Sequence, residues 1–247
     1  MPQTSSSSTL ASAGASHPSN QLLALLPAAD YRRLLPDLNY RNVRPGEFLY
    51  KYDQPMEDLF FPHDAICSVV RTIDGAGVEI AMIGPEGVVG IGAVIGAVNA
   101  IGDVMSHTYG GGHALRLEVF RREMARRGSF FDLMTWYSQM FVNMAMLTVA
   151  CNGLHSAAER TCRWLLTMSD CAGRDDCRIT HETFAMMLGV RRPTVTLVLG
   201  NLTQRGLIAP SRGGIRIADR RALEAASCEC YRRAAGLREG TGSRHRW

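Results

Sequence analysis

The stretch HETFAMMLGVRRPTVTLVLGNLTQR, residues 181–205, decides how the chain is read. Counted from His181, Phe184 and Leu188 stand fourth and eighth, and Ala185 and Gly189 fifth and ninth. Val190, Val195 and Val198 stand tenth, fifteenth and eighteenth. These positions describe two helices that cross through a tight turn. Small Ala185 lets the second helix approach the first, Gly189 supplies the left-handed residue of the turn, and the three valines wedge the crossing helices together. Thr180 caps the first helix. Pro193 falls in the first turn of the second, where a backbone N–H has no intrahelical partner to lose. The exposed face of that second helix carries Arg191, Arg192, Thr194, Thr196, Asn201 and Gln204. Arginine can read guanine through two parallel hydrogen bonds, and Thr, Asn and Gln suit bases or phosphates. Downstream, Arg205-Gly206-Leu207-Ile208 ends the helix, and Ser211-Arg212-Gly213-Gly214-Ile215-Arg216-Ile217 reads as a tight hairpin whose Arg212 and Arg216 would meet phosphates. Two helices followed by a basic hairpin predict a winged helix-turn-helix over residues 156–235, with double-stranded DNA as its partner.

Working outward, Ser156 followed by Glu159 marks a capping box, opening a helix that runs through Trp164, Leu165 and Met168 to Gly173. Before it, no Gly or Pro interrupts the chain from Ser129 until Gly153. Within that stretch Phe130, Met134, Tyr137, Phe141, Met144, Thr148 and Cys151 follow a 4-3-4-3-4-3 spacing. Such a seam pairs with another helix, so residues 121–155 are expected to hold a linker and a dimerisation helix, with Met134, Tyr137, Phe141, Met144, Thr148 and Cys151 at the contact. Leu133, Met140 and Leu147 make a second apolar line beside it. A helix buried within one chain fits the same pattern.

Residues 21–120 are punctuated differently. Two prolines, Pro27 and Pro36, break Gln21–Leu38 into short helices. Turn signals then recur at Pro45-Gly46, Asp53-Gln54-Pro55, Asp74-Gly75, Gly84-Pro85-Glu86-Gly87 and Gly110-Gly111-Gly112, with short apolar runs between them. This rhythm predicts an antiparallel jelly-roll barrel, making the whole chain α+β. The Ser/Ala-rich residues 1–20 and residues 236–247 read as disordered or flexible tails.

Charge divides the same way. Residues 156–247 hold 16 Arg and 9 Asp or Glu, whereas residues 1–155 hold 11 basic and 14 acidic side chains. A basic C-terminal third on a slightly acidic remainder suits a DNA-reading module attached to a different one, although solvated basic surface has the same arithmetic. No run approaches the roughly 18–20 apolar residues of a membrane span, and the N-terminus lacks the basic region of a secretory signal. An odd count of seven scattered cysteines suits reduced thiols in the cytoplasm.

Taken together these segments resemble the Crp-Fnr regulators over residues 21–233. The motifs that carry the resemblance are Ala158-Glu159-Arg160-Thr161-Cys162-Arg163-Trp164-Leu165-Leu166, Thr180-His181-Glu182, Leu188-Gly189-Val190-Arg191-Arg192-Pro193-Thr194-Val195, and Gly84-Pro85-Glu86-Gly87-Val88-Val89-Gly90 at the entry to the nucleotide cassette. The resemblance implies a homodimer on an inverted-repeat operator, a barrel acting as sensor, and RNA polymerase as a further partner. The cassette is degenerate. Ile91 stands where a ribose-binding Glu is expected, and no Arg or Lys occurs from Thr72 to Leu115 to meet a buried phosphate. The expectation is therefore no dependence on cyclic AMP and no evident cofactor. The recognition helix departs as well: Arg192 is present, but Pro193 and Leu197 replace the Glu and the later Arg of the best-known members.

Cysteine and histidine leave two other readings. Cys67 is the only cysteine before Cys151, so four barrel-side thiols for an iron–sulfur cluster do not exist. Cys228-Glu229-Cys230 makes half of a metal site, and no metal is expected. A redox-responsive regulator would use Cys67, Cys151 or the Cys228/Cys230 pair. A jelly-roll metalloenzyme would need clustered His and carboxylate ligands that the pattern does not show, since His63, His107 and His113 read as ordinary loop or strand residues. No catalytic residue is expected.

Overall fold

The structure is a computed structural model that describes residues 18–243. A 3-10 turn at Leu23–Leu25, helix α1 (Ala28–Leu34) and a second 3-10 turn at Leu35–Asp37 lead into the strands. These are β1 (Leu38–Val43), β2 (Phe48–Tyr50), β3 (Asp58–Pro62), β4 (Cys67–Ile73), β5 (Ala76–Ile83), β6 (Asp103–Ser106) and β7 (Gly110–Arg116). They pair antiparallel in two sheets of order β1-β7-β3 and β2-β6-β4-β5. That is a jelly roll of seven strands, with isolated bridges between Pro55 and Asn99 and between Phe60 and Val89. Asp74-Gly75 turns β4 into β5, and both residues have positive φ, as a two-residue hairpin matched to strand twist requires.

Helix α2 (Leu117–Ala125) and the long helix α3 (Ser129–Leu154) follow. Helix α4 (Ala157–Ala172), strand β8 (Asp176–Cys177), helices α5 (His181–Leu188) and α6 (Arg192–Gln204), strands β9 (Ile208–Ser211) and β10 (Gly214–Ile217), and helices α7 (Arg220–Ala226) and α8 (Cys230–Ser243) complete the chain. The small sheet has the order β8-β10-β9. The α+β class, the barrel, the long helix and the winged C-terminal module are thus all present.

Two cores hold this together. One fills the barrel and continues onto α3 through Phe130, Leu133, Met134, Tyr137, Met140, Phe141 and Met144. This corrects the expected dimer seam. Met134, Tyr137, Phe141 and Met144 are buried inside their own chain, Thr148 is buried with its hydroxyl donating to the Met144 carbonyl (3.0 Å), and Cys151 lies against Cys228. None is free to meet a partner. The second core unites the winged module with the outer face of the barrel: Ile66, Val70, Met82 and Met105 pack with Trp164, Leu165, Phe184 and Leu188.

The expected tail boundaries also shift. Asn20 is fully buried, its Nδ2 donating to the carbonyls of Pro62 (2.8 Å) and Gly87 (2.9 Å) while its Oδ1 accepts from the Leu23 N–H. Ordered packing therefore begins before residue 21. At the other end α8 runs through Ser243, so residues 236–243 are helical, and Arg238 pairs with Glu86 of the barrel at 3.8 Å. The remaining tail residues, 1–17 and 244–247, lie outside the described residues. No helix among the described residues is long and apolar enough to cross a membrane.

Candidate nucleic-acid interface

Helices α5 and α6 are positioned by the local chemistry of their ends. The Thr180 hydroxyl accepts the Thr183 N–H at 3.1 Å, so Thr180 serves as the N-cap of α5. At the far end Gly189 sits at φ +61, with its N–H returned to Met186 at 3.1 Å. Helix α6 then buries Val195, Leu199 and Leu202. Val195 of the three expected wedge residues is fully buried, whereas Val190 and Val198 are half-buried at the edge of the same core. Helix α4 opens with the complete capping box: Ser156 Oγ accepts from the Glu159 N–H, and the Glu159 carboxylate accepts from the Ser156 N–H at 2.8 Å.

The face of α6 opposite its buried residues is open. Arg191, Arg192, Thr196, Asn201 and Gln204 are exposed, and Thr194 is half-buried at the helix start. Thr196 accepts or shares a hydrogen with His181 Nδ1 at 3.1 Å, which brings His181 onto this face although its sequence position alone did not single it out. Leu197 lies in the middle with 76% of its surface exposed. An exposed leucine among polar residues on a crossing helix is suited to thymine methyl contact. The wing hairpin places Arg212 at its turn and Arg216 on β10, both exposed. Among the described residues no acidic side chain pairs with Arg191, Arg192, Arg212 or Arg216. Nine predicted positions thus fall on one module: eight are exposed or partly exposed around α6 and the wing, and Thr180 is occupied as a cap.

The module is held to the barrel by a buried polar network. Trp164 Nε1 donates to Glu79 Oε2 at 2.9 Å, and the Ser68 hydroxyl donates a short bond to the same oxygen. Because the Ser68 hydrogen is committed there, His107 Nε2, 2.7 Å from Ser68 Oγ, must be the donor in that contact. His107 stands edge-on to Trp164, and Trp164 tilts against Phe184 of α5. Burial pushes the Glu79 carboxyl above its usual range and the His107 imidazole down to about 4. The two remaining histidines of the barrel form a different group: His63 Nε2 contacts His113 Nδ1 at 3.0 Å on the opposite sheet.

The barrel interior offers a cavity lined by Tyr50, Met56, Ile83, Ile91, Val104 and Phe141 with other small apolar residues. No charged side chain lines it, and the Tyr50 hydroxyl is bonded to Asp58. The cysteines differ from expectation in one place. Cys228 and Cys230, half of a site in the sequence, are met by Cys151 and His155, and the four ligand atoms lie within 4.8 Å of one another.

A winged helix-turn-helix presenting unpaired arginines, joined through a long helix to a jelly-roll barrel, defines the class of fold: a two-part molecule with a C-terminal module of the DNA-binding type. Residues 159–226 match the Crp-like helix-turn-helix domain. Among solved structures, a putative Crp/Fnr-family transcriptional regulator from Eubacterium rectale is 18% identical, covering 81% of this chain and 94% of that one with a TM-score of 0.65. A Crp-family transcriptional regulator from Thermus thermophilus is 20% identical, covering 76% and 96% with a TM-score of 0.65. FixK2 from Bradyrhizobium japonicum is 16% identical, covering 77% and 98% with a TM-score of 0.64. No curated protein matches the chain. The C-terminal module is a Crp-like helix-turn-helix domain, and the chain as a whole has the fold of the Crp/Fnr transcription regulators.

Proposed function

We propose that the chain is a sequence-specific transcription regulator that binds an inverted-repeat operator as a homodimer and does so without cyclic nucleotide. The observation that carries this reading is the open face of α6, where Arg191, Arg192, Asn201 and Gln204 surround Leu197 and the wing arginines flank them. Positively charged groups without internal partners suit phosphates, and the polar groups between them suit base edges.

The dimer rests on the outer side of α3. Val142, Met146, Val149 and Leu154 are 55%, 66%, 65% and 80% exposed. Thr135, Gln139, Val142, Met146, Val149 and Gly153 repeat with the 4-3-4-3-4 spacing of a coiled-coil seam. This line replaces the buried one read from the sequence. Independence from cyclic nucleotide rests on the barrel cavity, whose apolar lining gives a phosphate no cation to meet. The regulator is not an enzyme, works in the cytoplasm with its thiols reduced, and contacts RNA polymerase where it activates.

Selection from a random duplex pool with ligand-free protein tests the reading. Enrichment of an inverted repeat, half-sites about one helical turn or a multiple apart, is expected. Only general, salt-sensitive binding would count against it. A redox-responsive form of the same reading has one contact in its favour, Cys151 Sγ to Cys228 Sγ at 3.5 Å. It requires peroxide to change operator affinity in the wild type and not in Cys228→Ser.

A further inference from the structure

Four metal-ligating side chains from two separate stretches of the chain, the end of α3 and the start of α8, converge. Cys151 lies on the last turns of α3 and His155 at its C-cap, in the joint before α4. Cys228 lies between α7 and α8, and Cys230 is the first residue of α8. Cys151 Sγ is 3.5 Å from Cys228 Sγ, and Cys230 Sγ is 3.7 Å from His155 Nδ1. A tetrahedron built on metal–sulfur bonds of about 2.3 Å and metal–nitrogen bonds of about 2.0–2.1 Å has ligand–ligand edges of roughly 3.5–3.8 Å. Both contacts lie within a few tenths of an ångström of such edges, as roughly estimated from those bond lengths, and the remaining pairs, all within 4.8 Å, need only a contraction.

Two further features separate this group from ordinary core cysteines. The three thiols do not join either main core: they form a satellite cluster with one another and with Leu147 at its margin. Beside them, on α4, lie two guanidiniums with incomplete pairing. Arg163 is buried and its Nε has no hydrogen-bond partner, and the Nε of half-buried Arg160 has none either. Both are close enough to feel the Cys151 charge. Three thiolates and a neutral imidazole around a divalent ion carry a net charge of about −1, which these arginines offset. Arg163 also feels the Glu79 carboxyl, but neutral thiols would leave Arg160 beside no anion, at the cost that attends an unpaired, partly buried charge.

We propose that Cys151, His155, Cys228 and Cys230 form a tetrahedral site for one divalent metal ion, and that the ion is zinc. Three thiolates and one imidazole favour zinc over hard cations, and a closed set of four protein donors is the structural rather than the catalytic kind. Donors this close surround a single ion; a cluster of two irons would spread its thiols farther. One disulfide would satisfy only one pair and leave the other two donors facing each other. The ion would pin α8 to the joint between α3 and α4, both of which α8 packs against. On the DNA-binding reading above, it therefore sets the angle between the dimer helix and the winged module.

Full-length protein, purified without a histidine tag or chelator, should contain about one zinc per chain by elemental analysis. Cobalt exchanged for zinc should give the intense visible bands of a tetrahedral site with thiolate charge transfer. His155→Gln and Cys230→Ser should lower zinc affinity at least about tenfold, and Cys171→Ser, which removes a thiol elsewhere on α4, should not. The cobalt spectrum of the wild type does not depend on how the variants fold. Wild-type protein that binds zinc no more tightly than Cys230→Ser, or that shows octahedral cobalt, would overturn the proposal. So would a Cys151–Cys228 disulfide mapped in the protein as purified, before any chelator or metal is added. Each of these is read without DNA, so failure here is distinct from failure of operator binding.

Discussion

Single residues set the turn and, on the proposed DNA-binding reading, the base contact. Gly189 holds φ +61, and a Cβ there would also approach Val78 at 3.1 Å. Gly189→Ala should therefore cost about 1–2 kcal/mol of stability, seen as a lower denaturant midpoint. Gly200 is the opposite case: it lies within α6 with open space around it, and Gly200→Ala should stabilise by about 0.5–1 kcal/mol. Equal midpoints for the two variants would contradict both assignments. Arg192, exposed at the start of α6, is expected to contact a base. Arg192→Ala should lose about 1–3 kcal/mol on the selected operator and relax one base position; uniform weakening on every sequence would make it a phosphate contact instead. These residues were legible in the sequence because their signals are local. A left-handed glycine, a Ser156–Glu159 capping box and a threonine cap act over three or four residues, so spacing alone exposes them. His181 beside Thr196 was not legible, because the contact depends on how α5 crosses α6.

At the scale of elements, α3 shows where periodicity stops being enough. Both sides of this helix are apolar, and each side repeats with the same spacing. Spacing says that a seam exists, but only the position of the barrel says which seam is already taken. The richer line, with Tyr137, Phe141 and Met144, has the aromatic bulk to fill the barrel core. The leaner line through Val142, Met146 and Val149 is left outside. The two lines predict separable phenotypes. Met146→Asp should leave the fold intact and weaken self-association by about 3–6 kcal/mol per dimer, since each of two symmetry-related side chains buries about 1.5–3 kcal/mol of apolar surface. Met144→Ala should instead destabilise the chain itself by about 2–5 kcal/mol through the cavity it leaves. Sedimentation at fixed concentration separates association from stability, and a Met146→Asp protein that remains a dimer would rule out this face. The cysteine cluster was hidden for a related reason: its four donors span residues 151–230, and only the return of α8 onto the end of α3 closes the set.

At the scale of the molecule, the barrel and the winged module share one core, so the charge state of their junction bears on both. The two titratable groups buried there act in opposite directions. His107 is depressed to about 4 by burial against an unfolded value near 6.5, so the stability it supports above pH 6.5 is lost as pH falls through that window. A shift of that size corresponds to about 3 kcal/mol. Glu79 is raised by burial, with Ser68, Trp164 and the Arg163 and Arg238 charges opposing that rise. Its contribution is full below its unfolded value and declines as pH climbs through the folded one. Acidification from pH 7 therefore removes what His107 contributes and restores what Glu79 withholds. His107→Gln, which keeps an N–H for Ser68, should flatten the fall in stability between pH 6.5 and 4. Glu79→Gln should steepen it, because the opposing group is gone. Urea midpoints for the three proteins across this range give the answer directly. Because Trp164 lies between both groups and the Phe184 side chain of α5, its fluorescence should follow the same transition as the far-ultraviolet signal of the whole chain. Two separate transitions, with only the barrel responding to pH, would mean that the shared core does not couple the halves.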